Sequence, residues 1–174
     1  MRWLSIILLA FFLVACAPIK VQYDYDKNVD FSTYKTYQYF ADMDTGLSTF
    51  DTKRLLDAID LKIQTLGFKI SETPDFYIDI KSKAFQTNQH SSVGVGLGGG
   101  GGHVGGGLSV GIPIGSSQTN AELTIHFVDH GKNQLFWQAI STFSFNANQT
   151  PDQKEAQFKT LVEKVLAEYP PKGL

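Results

Sequence analysis

The chain has one cysteine, Cys16, in 174 residues. No intrachain disulfide can form, so the fold must be held by its core alone. Charge is also scarce. Asp, Glu, Lys and Arg make up 18% of the residues and leave a net charge of −2. Without a basic stripe, nucleic-acid binding is disfavoured. No G-x-S-x-G nucleophile elbow and no G-x-x-x-x-G-K-[ST] phosphate loop occurs. The four histidines are His90, His103, His126 and His130, and none has another two, three or five positions away. Zinc needs three or four converging ligands, so no metal site, catalytic residue or cofactor is expected, and the chain reads as a non-enzyme.

Long apolar runs are missing as well, with one exception at the start. Leu4–Val14 is apolar apart from Ser5 and small Ala10, and it follows Arg2. About a dozen residues suit a signal-peptide h-region and fall short of the roughly 20 that a spanning helix needs. The run ends in Leu13-Val14-Ala15-Cys16, which resembles the lipobox of bacterial lipoproteins. That resemblance implies diacylglyceryl transfer to the Cys16 thiol, cleavage between Ala15 and Cys16, and N-acylation of the new terminus by a fatty acid such as palmitate. Processing and sorting machinery would be the first partners and the membrane the next. Ala17, where an Asp would signal retention, implies the outer membrane, with the domain facing the periplasm. The alternative is ordinary secretory cleavage after Ala17, since Ala15-Cys16-Ala17 also satisfies A-x-A. That reading leaves the only cysteine without a purpose.

Residues 1–15 are therefore read as the leader and 16–174 as one domain of 159 residues, enough for a proper core. Loss of Arg2 brings the net charge to −3. Ile19-Lys-Val-Gln-Tyr-Asp-Tyr25 alternates as a half-buried strand does. Thr36–Phe40 reads as a second strand of ambiguous facing. Phe50–Leu66 has the helical stripe Leu55, Leu56, Ile59, Ile63, Leu66, with Ser48, Thr49 or Asp51 to cap it and Gly67 to stop it. Asp57 and Asp60 fall on its outer, solvated face. A short extended piece follows at Phe68–Ile70. The longest strand opens at Pro74, with Phe76, Ile78 and Ile80 inward. Asn120–Asp129 and Gln134–Phe145 form a hairpin, the second strand burying Leu135, Trp137, Ala139, Phe143 and Phe145. Thr150-Pro-Asp-Gln153 is a capping box opening a helix that buries Phe158, Leu161, Val162, Val165, Leu166 and Tyr169.

Twelve of the sixteen glycines fall between Gly94 and Gly115, which marks residues 91–117 as an insertion. Val95 and Leu97 on one side, and Leu108 and Val110 on the other, alternate with small residues about a tip that holds His103. This is either a marginal hairpin or a floppy connector. Five of the seven tyrosines lie at 23, 25, 34, 37 and 39. They are either strand residues packing their rings or an aromatic platform. Tyr23, Tyr25, Tyr37 and Tyr39, with Val95, Leu97, His103, Leu108 and Val110, are the candidate interaction surface for an envelope partner. A pocket between sheet and helices for a small ligand or glycan is the second reading.

The expected fold is α+β: a mostly antiparallel sheet covered on one face by two amphipathic helices, with the glycine-rich hairpin or loop inserted. Several motifs in their order resemble the DUF4136 bacterial lipoprotein family, a domain of unknown function. They are Tyr23-Asp24-Tyr25-Asp26, Asp30-Phe-Ser-Thr-Tyr-Lys-Thr-Tyr37, Pro74-Asp75-Phe76, Phe136-Trp137 and Tyr169-Pro170-Pro171. Family members often carry Arg-Gly after that Trp. Here Gln138-Ala139 stands instead, so a role resting on the Arg does not carry over. The resemblance implies a fold and a location but no activity.

Overall fold

The computed structural model describes residues 19–86, 119–146 and 148–171. Among these residues six strands and two α-helices make an α+β fold. In chain order they are β1 (Lys20–Tyr25), β2 (Thr36–Tyr39), α1 (Thr49–Thr65), β3 (Lys69–Ile70), β4 (Phe76–Gln86), β5 (Thr119–Asp129), β6 (Leu135–Phe145) and α2 (Pro151–Val165). The strands form one sheet in the order β1-β6-β5-β4-β2-β3. The β1–β6, β6–β5 and β5–β4 pairings are antiparallel. Only β2 lies parallel to its neighbours, β4 and β3. The cause is α1, which returns the chain to the starting end of the sheet after β2, as a crossover must.

Local signals place both helices. Ser48 Oγ accepts from Asp51 N at the start of α1. At its end Gly67 takes φ +93°, and Phe68 N reaches back to Ile63 O at 3.3 Å, a left-handed stop that glycine tolerates without strain. Thr150 and Gln153 close the capping box of α2 in both directions. Leu55, Ile59 and Ile63 of α1 join Phe158, Leu161, Val162 and Val165 of α2 in one core with the inner sheet residues. Lys62 Nζ to Glu163 Oε2 (2.6 Å) and Lys154 Nζ to Asp51 Oδ2 (3.1 Å) link the helices at their rims.

Two sequence expectations need correction. Leu135 is 47% exposed, whereas Phe136 and Trp137 are both buried. A register shift between Phe127 and Val128 is the reason: Phe127 pairs with Trp137 and Val128 with Leu135. Phe136 is the extra residue of a β-bulge, and a bulge breaks the alternation on which facing is read. The second correction is Asp60. It is not a solvated carboxylate, because Tyr37 and Tyr39 donate their hydroxyls to its Oδ1 at 2.8 and 2.7 Å. Asp57, by contrast, faces outward and pairs with exposed Lys53 at 2.7 Å.

The strand after the first loop now has a definite facing. Tyr37 turns into the core, and Phe40 stacks on Tyr77 with ring centroids 4.8 Å apart. Gln86 pairs with Thr119, so the glycine-rich insertion connects β4 to β5. Val95, Leu97, His103, Leu108 and Val110 lie outside the described residues, as do Ala15 and Cys16.

Candidate functional site

The candidate surface divides when its tyrosines are placed. Tyr37 is 0% exposed and belongs to the core, so it leaves the candidate surface. Tyr39 is partly buried against that core, with its hydroxyl spent on Asp60. Burial comes first and the Asp60 carboxylate second in pushing both phenols well above their ordinary pKa. A platform made of these side chains would have to break the core to receive a ligand.

Tyr23 and Tyr25 fare differently. Alternation along β1 turns both toward the helix side, where they are half-buried. Tyr23 donates its hydroxyl to Lys164 O at 2.6 Å. That bond gives the Lys164 carbonyl, which Ala167 N meets only at 3.4 Å, a second and shorter donor, and it fixes the end of α2 over the edge strand. Burial and then nearby Glu168 raise the Tyr23 pKa. Between β1, β6 and the residues after α2 lies a depression of about 230 Å³, lined by Tyr23, Tyr25, Trp137, Glu168 and Pro171. Trp137 is 1% exposed. Its Nε1–H and the neighbouring Tyr169 hydroxyl are buried with no hydrogen-bond partner among the described residues. A second depression, about 270 Å³ and more open, is lined by Phe40, Asp42, Met43, Asp44, Asp79 and Lys81.

Other family-marking residues converge at the same end of the sheet, where β1 ends and β2 and β4 begin, and their contacts there are structural. Asp75 Oδ2 accepts from Lys35 N, Thr36 N and Thr36 Oγ1 at 2.8, 2.8 and 2.9 Å. Burial opposes the Asp75 charge, but these bonds outweigh it and hold the carboxyl below its ordinary pKa. Asp75 thereby ties the start of β2 to the start of β4. Tyr34 stacks on Phe136 at 4.2 Å between centroids and donates to Asp129 Oδ2 at 2.7 Å. Asp30 caps the turn at Phe31–Thr33 through Ser32 N. The spacing of these motifs in the sequence therefore reflects a latch around the β5–β6 turn.

Among the described residues no three His, Cys, Asp or Glu side chains gather as a metal site. His126 Nδ1 stands 3.8 Å from Asp79 Oδ2 on the open face of the sheet, and His130 packs its ring against Tyr77. No helix among them is long and apolar enough to cross a membrane.

The chain is thus an α+β sheet of this order, with a latch built from Tyr34, Asp75 and Phe136. The family described as a domain of unknown function (DUF4136) matches residues 21–171. The chain belongs to that family. No curated protein matches it. Among solved structures it is similar to a PDZ domain protein from Parabacteroides distasonis, with a TM-score of 0.58 and 12% identity. That match covers 96% of this chain and 40% of the other, so the chain spans about two fifths of that protein's length. It is also similar to PelC, crystallised as a dodecamer from Paraburkholderia phytofirmans, at a TM-score of 0.53 and 9% identity, covering 90% of this chain and 100% of that one. At these identities the likeness is one of fold.

Proposed function

We propose that this chain is a membrane-anchored bacterial lipoprotein, held by acyl chains on Cys16 in the outer membrane. It faces the periplasm and works there as a non-enzymatic interaction or accessory module of the envelope. The observation that carries the reading is Leu13-Val14-Ala15-Cys16 with β1 starting at Lys20. Only residues 17–19 separate the acylated cysteine from the first strand. At about 3.4 Å per residue the domain stands within roughly 10–15 Å of the lipid. The anchor then confines the search for a partner to the membrane plane, which raises effective concentration without any new contact.

Cys16→Ser tests this directly, because a hydroxyl cannot form the thioether. The expected result is an unprocessed precursor that takes up no labelled palmitate. Normal cleavage with release of a soluble mature form would sink the reading.

A second reading, a small-ligand or glycan module, is favoured by the depression at Tyr23 and Tyr25 with the unpartnered Trp137 Nε1–H beside it. Aromatic walls with a few polar groups are usual in such sites. Trp137 and leader residue Trp3 are the only tryptophans, so indole fluorescence of the processed chain reports on this place. Titration with cell-wall oligosaccharides should shift that fluorescence, and Tyr25→Ala should weaken the response about tenfold. A flat titration across the series would remove this reading.

A further inference from the structure

Among the described residues the sheet ends on one side at β1, whose one neighbour there is β6. Asp26 N donates to Phe136 O at 3.0 Å, which makes Asp26 a bonded pair with β6. Antiparallel ladders alternate, so Asp24, Gln22 and Lys20 turn their backbone groups toward β6. Tyr25, Tyr23 and Val21 turn theirs outward. The Tyr25 N–H, pointing out, is met by the adjacent Asp24 Oδ1 at 2.9 Å. The outward groups of Val21 and Tyr23 have no partner among the described residues. An open edge of this kind is a template for another strand.

The side chains say which strand. Ile19, Val21, Tyr23 and Tyr25 are half-buried on the helix side, and Lys20, Gln22 and Asp24 are exposed on the other. Neither Lys20 nor Asp24 has an ion-pair partner among the described residues. The segment is complementary to itself run backward about Gln22. In that register Lys20 meets Asp24 on both sides of the centre, and Gln22 meets Gln22. On the helix side Val21 meets Tyr23 and Ile19 meets Tyr25, the aromatic-with-β-branched pairs that sheets favour. Shifting the centre to Lys20 or Asp24 sets like charges opposite each other. Centring on Val21 or Tyr23 leaves one charge facing Gln22. The outward groups of Val21 and Tyr23 also fall opposite one another in this register, as a bonded pair requires.

We propose that β1 pairs with β1 of a second copy of this chain, antiparallel about a two-fold axis at Gln22. The two sheets become one, both α2 helices stay on the same side, and Asp24 exchanges its contact with Tyr25 N–H for Lys20 of the other copy. Such a contact is isologous and closes on itself, so it yields a dimer. The inference goes beyond the anchoring reading and does not depend on it.

Cysteine cross-linking on the full-length protein in isolated membranes, with a mild copper–phenanthroline oxidant, tests the register. Opposed non-bonded pairs bring Cα atoms to about 4.5 Å, within disulfide reach, while the two copies of residue 20 stand roughly 14 Å apart. Gln22→Cys should give a homodimer band on a non-reducing gel, with Lys20→Cys remaining monomeric. In the Gln22→Cys background, Lys20→Asp should slow cross-linking about fivefold, and adding Asp24→Lys should restore it. Wild type, run alongside, shows any contribution from Cys16, so a failure of lipidation is seen separately. A folded Gln22→Cys protein that stays monomeric would overturn the proposal. So would equal cross-linking at Lys20, or a disulfide to a different protein.

Discussion

Phe76→Ala is expected to lower stability by about 3–5 kcal/mol, the usual cost of emptying a buried phenyl site. Phe76 is fully buried. Its ring lies 4.9–6.2 Å, centroid to centroid, from those of Tyr34, Tyr37, Phe68, Phe127 and Phe136. Those five rings come from β2, β5, β6 and the segments just before β2 and β3, so the cavity would open where the layers meet. Backbone pairing with β5 on one side and β2 on the other limits collapse of β4 into the gap. Urea unfolding checks this, with a midpoint lower by roughly 2 M for a domain of this size. Phe76→Leu should recover part of the loss. A change below about 1 kcal/mol would mean the aromatic cluster does not hold the layers together.

Asp60→Ala comes next, at about 2–5 kcal/mol. One carboxylate oxygen satisfies two phenols on the neighbouring strand, and each hydroxyl left buried and unpaired costs about 1–3 kcal/mol. Asp60→Asn retains an acceptor and should cost less. Tyr37→Phe with Tyr39→Phe in the Asp60→Ala background should give back much of the loss, since removing all partners is cheaper than orphaning two. Denaturation of the three variants decides it; additive losses would refute the shared bond.

The same groups set an alkaline limit. Burial and the Asp60 charge raise both phenols above the ordinary tyrosine pKa of about 10. The neutral form is the one the fold favours. This contribution is complete below pH 10 and is lost as pH rises above it toward the raised values. Stability measured at pH 8 and 11 should fall, and by less in Asp60→Ala.

Most of the fold was legible because its elements follow local rules. The strand alternation at Lys20–Tyr25, the stripe of Leu55, Ile59 and Ile63, and the Thr150–Gln153 capping box all reappear within a residue of where the spacing puts them. The antiparallel character followed from the short turn at Asp129–Asn133. The errors have two causes. Helix spacing does not show the tyrosines that β2 brings to Asp60. Period-two reading assumes an unbroken ladder, and the bulge opposite Phe127–Val128 exchanged Leu135 for Phe136 in the core. The tyrosines of the candidate surface separate in the fold. Tyr23 and Tyr25 line a depression, while Tyr37 lies in the core, because its strand is covered on one side by α1 and the other residues of the aromatic cluster.

The sequence by itself determined where most helices and strands begin, most of the apolar faces, and that no intrachain disulfide can form. These depend on neighbours a few residues away. Only the tertiary structure decided that β2 runs parallel to β4, that Asp60 serves two tyrosines from a neighbouring strand, that Asp75 latches onto Thr36, and that β1 is an edge among the described residues. The first three of those join residues 21 to 39 positions apart. Such pairs are chosen by which surfaces can pack and which backbone groups find partners once the whole chain is closed, and no local spacing records that choice.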